Sequence, residues 1–366
     1  MKIGIDISPL AYPGTGVATY TELLVDNLLR VDRQNDYVLF YSSLRIPAPN
    51  KYITRHFKFP PLLLEQIWNR FHVFPIENLI GPLNIYHSSD WLEPPSKANK
   101  VTTIHDLSIL KYPDSFTRRN GHDIVENQKR KLYWSKKETK IFIAVSENTK
   151  QDIIDLLEIK KEQIRVIYEA SDPFYFHPID NIKKSTILNK YGLSNPFLLL
   201  VGTREPRKNL AMAIKAYKLI SQQQPQLQLV VAGKYGWGKD LDSSSTFGGT
   251  VKLLGYVPKE DLNYLYHEAE CFIYPSLYEG FGLPILDAMS AGCPVVASNR
   301  SSIPEIVKDA GVLIDPDSAE NIANGVLQAL SNKQTLRSMG LKRAREFTWE
   351  KTALQTLKIY QEANTL

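Results

Sequence analysis

Two carboxylates, two glycines and a group of cations are the residues whose types and spacing could do chemistry. In PSLYEGFGLPILDAMSAGCPVVASNRSSIPEIV (275–307), Glu279 precedes Gly280, Phe281, Gly282 and Leu283, and Asp287 follows after seven intervening residues. Glycines let a backbone approach a ligand closely, and the free N–H groups of a helix start favour an anion such as a phosphate. A molecule with hydroxyls at both ends and a phosphate between them would engage the loop and both acids, and a nucleotide-sugar has that layout. A Gly-rich turn with Asp287 as a favourable first-turn acid accounts for the same spacing.

A second group lies upstream. TREPRKN (203–209) places Arg204, Arg207 and Lys208 at the start of a helical pattern carrying Leu210, Ile214 and Tyr217. Cations there oppose the helix dipole unless an anion compensates, and a diphosphate would do so. His105 and Asp106 end an apolar run, 101–104, and ligands collect at the carboxyl ends of strands in open parallel sheets. A packed, hydrogen-bonded structural pair is the alternative.

The elements that must position these residues read as two rounds of strand, loop and helix. Cys271 to Tyr274 is a strand, Pro284 suits the first position of a helix, Gly292 suits its left-handed stop, and Val295 to Ala297 is the next strand. Earlier, Lys2 to Ile7 reads as a buried strand. A loop with Gly14 and Gly16 follows it, then a helix with an apolar stripe at Tyr20, Leu23, Leu24 and Leu28. Further strands are expected at 37–41, 84–88, 101–104, 141–145 and 165–168, with Ser146 capping a helix. Phe197 opens a second series with strands at 229–233 and 251–255. The pattern predicts an α/β protein of two domains. Residues 1–175 form the first with a returning C-terminal helix (347–366), and 176–346 form the second, with a hinge over 171–195.

EGFGLPILDAMSAGCPV (279–295) resembles the signature of family 4 retaining glycosyltransferases, whose mark is two acids separated by seven residues. That family usually has Glu at the second place; Asp287 is one methylene shorter. The resemblance spans nearly the whole chain and is strongest over 197–316. It implies the GT-B fold, two Rossmann-like doubly wound domains facing a cleft, and metal-independent transfer of a hexose from a UDP-glucose or GDP-mannose type donor. The acceptor implied is a glycan or lipid-linked glycan in surface polysaccharide synthesis.

By that resemblance Glu279 binds sugar hydroxyls, Asp287 the ribose, and Gly280, Phe281, Gly282 and Leu283 line the donor. VGTREPRKN resembles the segment holding the donor phosphates through an Arg and a Lys. Lys208 falls on the Lys, while Thr203 stands at the usual Arg, so Arg204 or Arg207 supplies the second charge. TIHDLSILKYP (103–113) resembles a subgroup segment that sets His105 near the reacting sugar carbon, with Asp106 orienting the loop or the acceptor. Gly16 faces the donor phosphates. GYVPKEDLNYLYHEAE (255–270) resembles the segment around the nucleotide base, and GKYGWGKD (233–240) is expected to face the cleft. A nucleotide-sugar epimerase and a non-catalytic nucleotide-sugar binding protein of the same fold are the alternatives. A dinucleotide-dependent dehydrogenase is disfavoured because neither glycine loop has the G-x-G-x-x-G spacing.

Composition bounds the rest. At 366 residues, 43% apolar and 23% charged, the chain has the make-up of a soluble globular protein. A net charge of +5 does not demand nucleic acid. Two cysteines in apolar surroundings imply no disulfide framework and fit a reducing compartment. MKIGIDISPL reads as a strand rather than a signal peptide, and a cytoplasmic protein is expected. Asp315 and Asp317 read as a turn, no convincing D-x-D loop is present, and no cofactor is expected. Two stretches leave an anionic membrane or a lipid-diphosphate acceptor as a partner. Residues 60–80 carry a helical apolar face (Leu63, Leu64, Ile67, Trp68, Phe71), whose ordinary place is the core. Residues 111–140 hold nine Lys or Arg against four acids, whose ordinary place is solvent.

Overall fold

The computed structural model describes residues 1–88, 90–116, 123–194, 196–236 and 251–366. Two compact units emerge. The first is built from Met1–Pro113, a stretch ending at Glu169, and Thr348–Leu366; the second is built mainly from Ala170–Phe347.

The first unit holds a seven-stranded parallel sheet. Its strands are β1 (Lys2–Asp6), β2 (Asp36–Ser42), β3 (Thr54–Phe57), β4 (Ile85–Ser88), β5 (Asn99–Ile104), β6 (Thr139–Ala144) and β7 (Ile164–Val166), in the order β3-β2-β1-β4-β5-β6-β7. The second holds β8 (Phe197–Val201), β9 (Gln228–Ala232), β10 (Val251–Gly255), β11 (Cys271–Tyr274), β12 (Val295–Ser298) and β13 (Val312–Ile314), in the order β10-β9-β8-β11-β12-β13. Both sheets are parallel, so helices cover their faces and the strands read as apolar runs rather than alternations.

The two sheets share one wiring. Each chain segment winds outward on one side of its first strand, then jumps to the other side. The gaps lie between β1 and β4 and between β8 and β11. In open parallel sheets a ligand site is expected outside the strand ends at such a reversal. The second core shows how the sequence reaches this arrangement. Leu198, Leu200, Leu229 and Val231 of the strands pack with Leu210, Ile214 and Tyr217 of the Leu210–Gln223 helix. Those helix positions recur at the spacing of one helical face.

Four sequence expectations are revised. Residues 60–80 do not form one helix with one buried face. Pro61–Leu64 is a single α turn that widens into a π-helical stretch, Glu65–Arg70. The Phe71 N–H donates to the Gln66 carbonyl at 3.0 Å. His72 and Phe74 then take left-handed backbone, φ 52° and 68°. Leu64 and Trp68 are buried, Leu62 and Leu63 are exposed, and the widened turn that follows carries Phe71 out to solvent with Val73 and Phe74.

The 171–195 stretch is not a bare hinge. It carries a helix, Asn181–Lys190, capped by the Asp180 side chain, which accepts from Ile182 N–H at 2.8 Å.

The 111–140 stretch is not a uniformly solvated basic face. Lys131 is buried and lies 4.0 Å from Glu93, which also pairs with buried Lys100 at 3.1 Å. Arg130 pairs with Glu126 at 3.1 Å and Lys136 with Glu158 at 2.9 Å. Residues 117–122 of that stretch, and 237–240 of the GKYGWGKD loop, lie outside the described residues.

The buried face of the Gly16–Val31 helix is displaced from the expected stripe: Tyr20, Leu24 and Leu28 are buried together with Ala18, Thr21 and Val25, while Leu23 is only partly buried.

The C-terminal helix, Trp349–Thr365, belongs to the first unit. Tyr20 meets Trp349 edge-on at 5.8 Å, and the Thr352 hydroxyl donates to the Tyr168 carbonyl at 2.7 Å. The Tyr360 hydroxyl meets His87 Nδ1 at 2.7 Å. Among the described residues no helix is long and apolar enough to cross a membrane.

Candidate functional site

At the β8/β11 reversal the chain leaves β8 through Gly202, whose φ of 147° is open to glycine alone at low cost. Pro206–Lys208 makes one 3-10 turn, and Asn209 at φ 57° precedes the Leu210–Gln223 helix. The Asn209 amide donates to the carbonyls of Pro275 at 3.3 Å and Pro316 at 2.7 Å. The Leu277 N–H donates to the Arg207 carbonyl at 2.8 Å. The bonds to Pro275 and from Leu277 hold the loop after β8 against the loop after β11, and the bond to Pro316 ties it to the loop after β13.

Between the two loops sits Glu279. One carboxylate oxygen accepts from Lys208 Nζ at 2.7 Å and the other from the Arg207 guanidinium at 2.9 Å. The Ser276 hydroxyl also donates to it. Lys208 donates in turn to the Tyr274 hydroxyl at 2.6 Å, and Arg207 pairs with Glu205 at 2.6 Å. Burial alone would raise the Glu279 carboxyl, but Lys208 and then Arg207 more than offset it and hold it at about 2. Burial pulls the Lys208 ammonium below its usual range despite Glu279.

The cations at this turn are therefore already compensated within the protein. The sequence pattern points to a bound anion as their compensation; in the structure Glu205 and Glu279 supply it. The Arg204 guanidinium lies 5.6 Å from the centre of the Tyr235 ring.

The backbone around Glu279 is pinned from β12's side. The Glu279 N–H donates to Ser301 Oγ at 2.9 Å. The Ser302 hydroxyl reaches the carbonyls of Glu279 and Phe281, each at 3.0 Å. Phe281 is buried, edge-on to Phe347 at 6.0 Å. Gly282, at φ 108°, caps the Leu283–Ser290 helix. Asp287 stands on that helix and accepts from the Ser171 hydroxyl at 2.8 Å. Burial pushes its carboxyl up to about 7, with Ser171 offsetting only part of the effect.

In the first unit, His105 follows β5. Its Nδ1 lies 3.0 Å from Glu169 Oε1, and its ring stands edge-on to Tyr20 with centroids 4.5 Å apart. The Tyr20 hydroxyl meets Thr103 Oγ1 at 3.1 Å, which meets His87 Nε2 at 2.8 Å. Burial holds His87 down at about 3, hence neutral. Burial would also lower His105, but Glu169 outweighs it and the imidazole lies above its usual value. Asp106 accepts from the Ser108 N–H at 2.8 Å, turning the chain into the short Ser108–Lys111 helix. Gly16 is exposed and begins the Gly16–Val31 helix, which Thr15 caps by accepting from Ala18 N–H at 3.2 Å.

The sequence matches the family described as glycosyltransferase family 4 over residues 14–173 and that described as glycosyl transferases group 1 over 183–347. O-antigen chain mannosyltransferase B of Escherichia coli is 33% identical over 386 residues, spanning 99% of this chain and 100% of the relative. The chain belongs to the group 1, family 4 glycosyltransferases.

Solved structures place this glycosyltransferase in the GT-B fold. WaaG, a glycosyltransferase involved in lipopolysaccharide biosynthesis, superposes with a TM-score of 0.74 at 16% identity, over 98% of this chain and 99% of that one. Sucrose-phosphate synthase from Thermosynechococcus elongatus gives 0.73 at 21% identity, over 99% and 98%.

Within the glycosyltransferase, the structure brings together Glu279, Lys208 and Arg207, which the sequence singles out separately. It sets Asp287 with Ser171 and His105 with Glu169. Neither Ser171 nor Glu169 stands out in the sequence, since a serine and a glutamate after a short strand carry no spacing signal. Ser276, Ser301, Ser302 and Tyr274 escape for the same reason. Asp315 and Asp317 share Arg300 at 3.0 and 2.6 Å. Among the described residues no group of three or more His, Cys, Asp or Glu could hold a metal ion.

Proposed function

We propose that this glycosyltransferase moves a hexose from a nucleoside-diphosphate sugar to a glycan or lipid-linked glycan acceptor in surface-polysaccharide synthesis, with retention of anomeric configuration. The observation that carries the reading is the convergence of Lys208 and Arg207 on Glu279 at the β8/β11 reversal. As the bond from sugar C1 to the diphosphate breaks and one to an acceptor hydroxyl forms, negative charge grows on the departing phosphates. Lys208, Arg207 and the amides at the start of the Leu283–Ser290 helix stabilise that charge without a divalent metal. Such preorganised donors contribute on the order of 3 kcal/mol each. Glu279 receives sugar hydroxyls, Asp287 the ribose, and His105 acts at the reacting sugar.

GDP-mannose is the first donor to try, supported by the E. coli relative's being a mannosyltransferase. The test is a donor panel read by release of free GDP or UDP. GDP release from GDP-mannose alone, undiminished by EDTA, is the expected result. Release that needs added Mg2+ would overturn metal independence, and release only from UDP-sugars would overturn the donor. Donor conversion without any acceptor would favour an epimerase.

The exposed Leu62, Leu63, Phe71, Val73 and Phe74, beside exposed Arg70, support peripheral contact with an anionic membrane. Co-sedimentation with phosphatidylglycerol vesicles, lost in Phe71→Glu, checks it.

A further inference from the structure

We infer that Glu169 is a positioning residue for His105, holding the ring through Nδ1–H and favouring its doubly protonated form, which presents Nε2–H to a substrate oxygen. This rests on the proposed role of His105. Glu169 is 4% exposed, directly beyond β7, and a carboxylate so placed costs stability unless it is partnered. Its Oε1 faces His105 Nδ1 at 3.0 Å. A carboxylate accepts only, so Nδ1 carries a proton and donates, and Nε2 is the ring atom left to address substrate.

The ring is not free to turn. Tyr20 stands edge-on against it at 4.5 Å, and the Tyr20 hydroxyl is tied through Thr103 to His87 and thence to Tyr360. The charges around the ring agree in sign. Asp90, from the loop after β4, and Asp106, from its own loop, add to Glu169 in favouring the imidazolium. His87, on β4, opposes it, but burial keeps His87 neutral. Both His105 and Glu169 follow the carboxyl ends of strands, β5 and β7, the edge of a parallel sheet at which substrates are met. An imidazole held this way donates a hydrogen bond to a sugar hydroxyl or to developing negative charge, and does not take a proton at Nε2 while it is charged.

The experiment compares the full chain with Glu169→Gln and Glu169→Asp. The imidazole titrations are followed by NMR on histidine-labelled protein, with His105→Asn used to assign the resonance among the seven histidines. Gln keeps the shape and removes the charge, so Glu169→Gln should fold and titrate at His105 about one pH unit or more below wild type, the size of effect one adjacent charge has. Glu169→Asp should keep part of the elevation. The limb of nucleotide release against pH should move by the same amount, with the donor KM little changed. Above the wild-type pKa, a titration midpoint lowered by about one pH unit leaves about tenfold less of the charged form.

An unchanged titration in Glu169→Gln overturns the inference. So does a lowered titration with an unmoved rate profile. A wild type that releases no nucleotide from any donor, while the titration still responds to Glu169→Gln, overturns the role of His105 in transfer and leaves the hold of Glu169 on the ring standing.

Discussion

Lys208 Nζ and Glu279 Oε1 lie 2.7 Å apart, 71 residues apart in the chain, and both side chains are largely shielded from water. Their pairing adds a largely buried ion pair to the hydrogen bonds of Asn209 and Leu277 that join the same two loops of the second unit.

Removing Lys208 should therefore act twice. Lys208→Ala is expected to lower nucleotide release by about 100-fold or more, the effect of deleting one preorganised donor. It should also destabilise the fold by on the order of 2 kcal/mol in urea titration. Leaving a buried charge without its partner costs about 3–5 kcal/mol, and Arg207 and Ser276 remain to hold Glu279. Adding Glu279→Gln to a Lys208→Met chain should recover stability and no activity.

The two arginines should separate cleanly. Arg207 reaches Glu279, whereas Arg204 lies over Tyr235. Arg207→Ala is expected to cost on the order of 100-fold in kcat/KM for the donor, and Arg204→Ala markedly less. The reverse order in steady-state assays would move the phosphate contact to Arg204.

Asp287 predicts a pH dependence of stability. Unfolded, its carboxyl titrates near 3.8; folded, burial raises it to about 7. Folding thus takes up a proton between those values. The stabilisation is complete below pH 3.8 and is lost as the pH rises through 7. Asp287→Asn should remove this fall across pH 4–7 and gain stability over wild type at pH 8, as read by urea midpoints.

Two glycines should differ sharply. A Cβ on Gly233 would land on the Gly202 carbonyl oxygen, which is backbone and cannot step aside. Gly233→Ala should cost about 3 kcal/mol or more. Gly255, at φ 68° with nothing within 4 Å, meets only conformational strain, so Gly255→Ala should cost about 1–2 kcal/mol. Thermal or urea unfolding of both variants distinguishes the cases.

The sheet architecture was legible because buried parallel strands announce themselves as short apolar runs between glycines and prolines, as FLLLV and CFIY do. The acids at 279 and 287 were legible through their spacing. What was not legible depended on distance in space. That Glu279 compensates Lys208, or that Glu169 faces His105 from 64 residues away, is a product of strand order. The 60–80 stretch misled because its apolar periodicity was genuine, yet one π turn redirected it. No residue-type signal marks a π turn in EQIWNR.

The first unit has a consequence for how the protein comes to be made. Its closing helix, Trp349–Thr365, is translated only after the whole second unit, and His87, Thr103 and Tyr20 complete their bonded chain only when Tyr360 arrives. A nascent chain on the ribosome can finish its later half while the earlier half still waits, open at β4 and β5. Order of synthesis and order of completion are thus inverted, and loss of a few C-terminal residues should wound the N-terminal sheet rather than its neighbour.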